Sequence, residues 1–133
     1  MKILAEKDSI NLSLELPETE IFLTGDEEKL SRALTNLVSN CMRYAENLIT
    51  VKVSMPQELP ILQVTISDDG RGFEDKDLLH LFERFYKGEN GNFGLGLTIV
   101  KTIIERHNGT IEAKNGPTGG AQFIITLPHI VRE

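Results

Sequence analysis

Between residues 26 and 67 the spacing of apolar side chains switches from helical to extended, and that switch restricts the chain to a helix laid against a sheet. Leu30, Ala33, Leu34, Leu37, Val38, Cys41 and Ala45 recur at the three-to-four spacing of one helix face. Asp26 suits the N-cap, and Glu27 and Glu28 follow where the helix dipole favours negative charge. Over 50–55, Val51, Val53 and Met55 alternate with Thr50, Lys52 and Ser54. Over 61–67, Leu62, Val64 and Ile66 alternate in the same way, and Pro56 and Pro60 bracket the connection as in a hairpin. A helix with one apolar stripe and a hairpin with one apolar face bury each other.

The flanks extend this pattern. Residues 9–16 place Ile10, Leu12, Leu14 and Leu16 on one side and stop at Pro17, which predicts a half-buried strand; Ile21, Phe22 and Leu23 form a short second apolar run. A second helix is expected over 97–107, with Leu97, Val100, Ile103 and Ile104 inward and Asn108-Gly109 at its end. Closing strands are expected at 110–114 and 121–127, the latter with Ala121, Phe123, Ile125 and Leu127 on one face. Residues 70–96 lack a sustained apolar period and read as a long loop with one helical turn around 78–82. The expected fold is α+β, with helices layered over one sheet whose strand pairs are antiparallel.

At 133 residues the chain has room for one domain, 1–133. Fourteen basic against twenty acidic residues leave a net charge of −6, the wrong sign for non-specific grip on a nucleic acid. No apolar stretch is long enough to cross a bilayer, so this chain is expected to be soluble and not membrane-inserted. A single cysteine, Cys41, excludes an internal disulfide and a cysteine-clustered zinc site.

Three groups of residues carry chemistry. Asn36, Asn40 and Arg43, spaced i, i+4, i+7, fall in one stripe at the edge of the first helix's apolar face. An amide oxygen is a neutral ligand for a hard cation such as Mg²⁺, and an arginine beside it matches the phosphates that such a cation brings. The second group, Ser67-Asp68-Asp69-Gly70-Arg71-Gly72-Phe73, ends an apolar strand. Its glycines permit a sharp turn and the close approach of a planar ring, and a carboxylate at the strand end accepts a hydrogen bond from an exocyclic amine. The third, Gly91-Asn92-Phe93-Gly94-Leu95-Gly96-Leu97, opens the second helix, where free backbone N–H groups cradle phosphate. It lacks the third glycine of a Rossmann turn and the Gly-Lys-Ser/Thr of a Walker loop.

Taken in order, these groups, with Leu81-Phe82-Glu83-Arg84-Phe85-Tyr86-Lys87 and Gly119-Gly120-Ala121-Gln122-Phe123, closely resemble the catalytic, ATP-binding domain of bacterial sensor histidine kinases. The resemblance covers about 9–128. It implies a Bergerat-type fold, a two-layer α/β sandwich in which a mixed, mainly antiparallel sheet is covered by helices on one face. It also implies ATP and Mg²⁺ as cofactors. Asn40 would hold Mg²⁺, with Asn36 and Arg43 near the phosphates and Tyr44 beside the nucleotide. Asp68 would read the adenine amine, and Gly70, Gly72 and Phe73 would let the chain pass close to the base. Phe82 and Phe85 would pack a lid running to Gly94, Leu95, Gly96 and Leu97 at the phosphates, with Lys87 adding charge and Gly120 supporting the back of the pocket. Where the family often has a second glycine after the one matching Gly91, this chain has Asn92 and then Phe93.

The implied reaction is transfer of the γ-phosphate to a histidine on a separate helical domain. His80, His107 and His129 are not followed by the acidic residue of a phosphoacceptor, so the nucleophile is expected from outside this chain. Related ATPases carry a water-activating glutamate four residues before the Mg²⁺ asparagine. Asn36 stands there, and an amide cannot act as a general base, which favours a kinase over an ATPase. The alternatives are a serine kinase of the anti-sigma-factor type and a nucleotide-sensing module without transfer. The expected partners are a dimerisation and phosphoacceptor domain and a cognate response regulator. The chain itself is expected to be monomeric and cytoplasmic, with a membrane-anchored parent.

Overall fold

The computed structural model describes residues 10–18, 23–56, 60–84 and 95–128. In chain order the elements are β1 (Asn11–Glu15), α1 (Glu27–Tyr44), β2 (Leu48–Ser54), β3 (Ile61–Asp68), α2 (Asp75–Leu78), α3 (Leu95–Arg106), β4 (Thr110–Asn115) and β5 (Ala121–Pro128). The strands form one sheet in the order β1-β2-β3-β5-β4. Its alternate positions Leu62, Val64 and Ile66 on β3 and Phe123, Ile125 and Leu127 on β5 are buried beneath the inner residues of α1 (Ala33, Leu37, Val38, Cys41) and α3 (Leu97, Val100, Ile103, Ile104). The helices lie on one face, and the two-layer α+β architecture is as expected.

The sheet is mixed and mainly antiparallel, as the resemblance implies, and departs at one edge from the all-antiparallel pairing read from the strand pattern. β1 pairs with β2 in parallel, Asn11 opposite Leu48 through Glu15 opposite Lys52. The chain between these two strands includes all of α1, and a helix-length crossover returns the strand in the same direction. The β2/β3, β3/β5 and β4/β5 pairs are antiparallel. The expected inward face of the first strand is buried only at its start. Ile10 is buried, whereas Leu14 and Leu16 are 55% and 65% exposed, beyond the cover of the helices.

The helix boundaries follow local chemistry. Asp26 caps α1, its Oδ1 accepting from Lys29 N at 3.1 Å. α3 starts at Leu95, two residues before the expected start. The helical turn expected at 78–82 is displaced to α2 at 75–78, where Glu74 occupies the N-cap position and Asp75 and Asp77 fill the first turn. Of the apolar run 21–23, residues 21 and 22 lie outside the described residues, and Leu23 belongs to no helix or strand. His107 ties the two helices together. Its Nδ1 faces the Ile103 carbonyl at 2.7 Å, and its Nε2 accepts from Asp26 N at 2.9 Å. Among the described residues no helix is long and apolar enough to cross a membrane.

Candidate functional site

The stripe on α1 is most deeply buried at its middle and reaches the surface at its C-terminal end. Asn40 is 7% exposed within the helix's buried face, Asn36 is half-buried, and Arg43 in the last turn is exposed. The Asn40 side-chain amide has no hydrogen-bond partner among the described residues and keeps some access to solvent, so it is available to a ligand. Tyr44 closes the helix half-buried, and the Arg71 guanidinium carbon stands 5.9 Å from its ring centre.

β3 delivers Asp68 to the end of this stripe. Leu62, Val64, Ile66 and Asp68 share one parity, so the strand that buries three aliphatic side chains also buries a carboxylate, which is 6% exposed. Oδ1 accepts from Gly70 N at 2.9 Å and Ala121 N at 3.1 Å, whereas Oδ2 is enclosed and has no hydrogen-bond partner among the described residues. Burial pushes the Asp68 carboxyl above the ordinary carboxylate range, and the two N–H groups and the Cys41 thiol pull it part of the way back. The Cys41 thiol is held far above its ordinary value, first by burial and then by the Asp68 charge and hydrogen bond, so it keeps its hydrogen at neutral pH.

The glycines around Asp68 divide into two kinds. A Cβ on Gly70 would lie 2.1 Å from the Tyr44 carbonyl oxygen, and one on Gly120 would lie 1.9 Å from that of Asp68. Gly72 has φ +80°, and a Cβ there would lie 2.2 Å from the Gly119 carbonyl oxygen. These three are demanded by the protein's own backbone packing, whatever binds nearby. Gly96, in the first turn of α3, is exposed and a Cβ there would meet no atom of the described residues within 4 Å. Among the described residues nothing requires glycine at 96, so its small size is available to a ligand approaching the helix N-terminus.

Two residues given no role in the sequence reading hold this loop in place. The Asp69 carboxylate accepts from Glu46 N at 2.9 Å and from Asn47 N at 3.0 and 3.1 Å, while Asp69 N donates to the Leu48 carbonyl at 3.2 Å. Partial burial raises the Asp69 carboxyl, but the N–H groups of Asn47, Leu48 and Glu46 outweigh it, and its pKa falls below 3.8. Asn115, at the end of β4, accepts from Phe73 N at 2.7 Å through Oδ1 and donates to the Phe73 carbonyl at 3.0 Å through Nδ2. An acidic residue following Asp68, and an asparagine at a strand end, were the signals available for these roles. The partners of their side chains lie 22 to 42 residues away in sequence.

Other expected positions belong to the body of the domain. The Phe73 and Phe82 rings meet Phe123 edge-on, with centroids 5.6 and 6.5 Å away, and the Leu97 side chain is 2% exposed. Phe82 is half-buried beneath Lys101, whose ammonium is 5.7 Å from the ring centre, and its carbonyl accepts from Thr98 Oγ1 at 3.1 Å. It thus anchors to the first turns of α3 the point where the expected lid begins. Phe85, Lys87 and Gly94 lie outside the described residues, and Leu95 opens α3.

Comparison with known proteins decides the family. A sequence profile described as "Histidine kinase-, DNA gyrase B-, and HSP90-like ATPase" matches residues 25–130. The chain belongs to this ATPase family. Among curated relatives, the sensor histidine kinase CssS of Bacillus subtilis (strain 168) is 41% identical over 111 residues, covering 84% of this chain and 24% of CssS. The chain therefore spans about a quarter of that relative's length. The catalytic domain of the histidine kinase ThkA superposes with a TM-score of 0.80 at 25% identity, covering 93% of this chain and 83% of that one. A full-length ShkA structure in complex with AMPPNP shares the fold, with a TM-score of 0.83 at 20% identity over 96% of this chain and 27% of ShkA. The curated relative and the ThkA structure that the chain resembles are thus a sensor histidine kinase and the catalytic domain of a histidine kinase.

Among the described residues no group of three His, Cys, Asp or Glu side chains is placed to hold a metal. A cation at this ATPase-family site would rest on the unengaged amide of Asn40 together with oxygens brought by the nucleotide, a donor set that suits Mg²⁺.

Proposed function

We propose that this domain binds Mg²⁺-ATP between α1, the end of β3 and the start of α3, and donates the γ-phosphate to a histidine on a separate helical domain. The observation that carries the proposal is the buried Asp68 carboxylate, whose Oδ2 has no partner and so lacks a donor of the kind an adenine amine supplies. Asn40 would hold Mg²⁺, and when bound the ion neutralises phosphate charge and orients the triphosphate. Arg43 adds positive charge at the exposed end of the same stripe, and the N-terminus of α3 offers backbone N–H groups with the open face of Gly96 beside them. Asn36, one turn before Asn40, cannot accept a proton from water at neutral pH, which supports transfer to an incoming nucleophile over hydrolysis.

A groove of about 490 Å³ between α1 and α3 supports a docking role for the outer face of the helices. Ile99 and Ile103 line it, with Lys29, Arg32, Arg84 and Arg106 among the residues around them. Lys29, Arg32 and Arg106 have no ion-pair partner among the described residues. In a chain of net charge −6 this cluster suits an acidic face of the helical domain that carries the histidine.

The test combines binding with transfer. Calorimetric titration should show Mg²⁺-dependent ATP binding that weakens in Asp68→Asn and loses its magnesium dependence in Asn40→Ala. Incubation with a helical phosphoacceptor domain and γ-labelled ATP should then give an acid-labile phosphohistidine. A hydroxyl-linked phosphate would assign a serine kinase instead, binding without transfer would assign a sensing module, and absence of ATP binding would overturn the site.

A further inference from the structure

Asn115 ends β4 on the surface, and its side chain reaches back to a residue 42 positions earlier in the chain. Its Oδ1 accepts from Phe73 N at 2.7 Å and its Nδ2 donates to the Phe73 carbonyl at 3.0 Å, so one amide engages both backbone groups of one residue, as a neighbouring strand would. The contact is close. A Cβ on Gly72 would lie 2.6 Å from this Oδ1 and 2.2 Å from the Gly119 carbonyl oxygen. Within the sheet Asn115 stands opposite Ala121. The turn between them is closed by Gly116 N on the Gly120 carbonyl at 2.7 Å and by Gly119 N on the Gly116 carbonyl at 3.0 Å. The Asn115 amide therefore joins a hydrogen-bonded hairpin end to the loop that follows Asp68.

Each of those two segments sends one donor to Asp68. Gly70 N, from the loop, and Ala121 N, from the hairpin, meet on Oδ1 at 2.9 and 3.1 Å. Their relative placement sets the direction of the carboxylate, and hence of Oδ2, which has no partner among the described residues. The Asp69 carboxylate secures the start of the loop to Glu46 N and Asn47 N, on the α1 side. Asn115 secures its end on the β5 side.

We infer that Asn115 is a positioning residue for base recognition. Its amide holds the loop that carries Gly70 against the hairpin that carries Ala121, and so fixes the pair of N–H groups that aim Asp68 Oδ2 at the exocyclic amine of a purine. The inference rests on the reading that Asp68 meets the base. Packing alone predicts something different. A loop that only shaped the pocket wall would, when loosened, weaken every purine nucleotide alike, whereas lost aim is felt only by a ligand with an amine to offer. Because Asn115 is exposed, shortening it opens no cavity in the core.

The discriminating ligand is a purine nucleoside triphosphate with hydrogen in place of the 6-amino group, compared with ATP by calorimetry on the 133-residue chain. The unsubstituted chain should bind ATP more tightly than this analogue. Asn115→Ala should weaken ATP by about three- to tenfold, the range of one ordinary hydrogen bond, and leave the analogue within twofold. In an Asp68→Asn background, where no carboxylate remains to be aimed, Asn115→Ala should leave the ratio of the two affinities unchanged. Circular dichroism melts accompany each variant. If the alanine variant unfolds, Asn115→Asp replaces it: the carboxylate still accepts from Phe73 N but cannot donate to the carbonyl. Its added charge acts on both triphosphates equally, so the preference for ATP should again shrink. Unchanged ATP affinity in the variant that folds, or equal weakening of ATP and the analogue, would overturn the role of Asn115 while leaving the nucleotide site intact. If the unsubstituted chain binds both ligands equally, the reading of Asp68 fails and this inference fails with it.

Discussion

Replacing Asp68 with asparagine should make the domain more stable and poorer at binding ATP. The amide oxygen can still accept from Gly70 N and Ala121 N, so the two backbone bonds at 2.9 and 3.1 Å survive. What changes is the Oδ2 position, where an enclosed, unpartnered carboxylate oxygen becomes an NH₂ group. Because burial raises the carboxyl's pKa above 3.8 in the folded state, the group favours folding only while protonated. That contribution is complete below the unfolded value, shrinks as pH rises through the folded value, and leaves a net cost at neutral pH. Removing the charge should recover about 1–3 kcal/mol at pH 7, the difference between burying a charged and a neutral polar group without a partner. For a domain of this size that corresponds to a rise in Tm of about 3–12 °C. Below pH 3.8, where the carboxyl is protonated in both states, the gain should vanish. The same NH₂ group would point a donor at the adenine amine, losing a charge-assisted hydrogen bond of about 1.5–3 kcal/mol, or about 10- to 150-fold in Kd. Melting curves at pH 7 and under acid conditions, with calorimetric titration of ATP, measure both effects. Unchanged ATP affinity would refute the assignment of Oδ2 to the base, and a Tm that falls at pH 7 would refute the account of Asp68 as a buried charge held at a cost.

Further outcomes follow from the same geometry. Gly96→Ala should leave Tm unchanged or slightly raised, since alanine favours a helix by about 1 kcal/mol over glycine, while weakening ATP more than adenosine; equal effects on both ligands would remove Gly96 from the phosphates. Asp69→Ala should cost about 1–2 kcal/mol in chemical denaturation at pH 7 by freeing the Glu46 and Asn47 N–H groups. Because the folded Asp69 pKa lies below 3.8, that stabilisation is complete above 3.8 and is lost as pH falls through the folded value, so the variant and its parent should converge in strong acid. The double variant Arg32→Glu, Arg106→Glu should lower phosphate transfer to an acidic helical domain by at least tenfold, with ATP affinity within twofold; transfer at the parental rate would remove the groove from the docking surface.

The parts of the fold legible in the sequence are those governed by near neighbours. Leu30 to Ala45 repeat every three or four residues and form α1, Leu62 to Ile66 alternate and form β3, and Asn108, with φ +62°, follows the end of α3 as the Asn-Gly pair predicted. The stripe of Asn36, Asn40 and Arg43 was legible for the same reason, because helix geometry alone places residues four and seven apart together. β1 was harder. Its alternation predicts a strand but not its direction, which is set by the helix that intervenes before β2, and not how far the layer above extends over Leu14 and Leu16.

The chain's own spacing therefore determined a helix-over-sheet domain, a polar stripe on α1, a carboxylate at the end of β3 and a glycine at the head of α3. Only the tertiary structure decided what surrounds each of them. It buried Asp68 between Ala121, 53 residues away, and Cys41 on α1, leaving one oxygen without a partner. It also pressed Gly70 and Gly120 against carbonyl groups while leaving Gly96 open, although all three are glycines in turn-like sequence. Periodicity is a property of neighbours along the chain. The partner of a buried polar atom, and the free space beside a glycine, depend on which distant segments the folded core brings together.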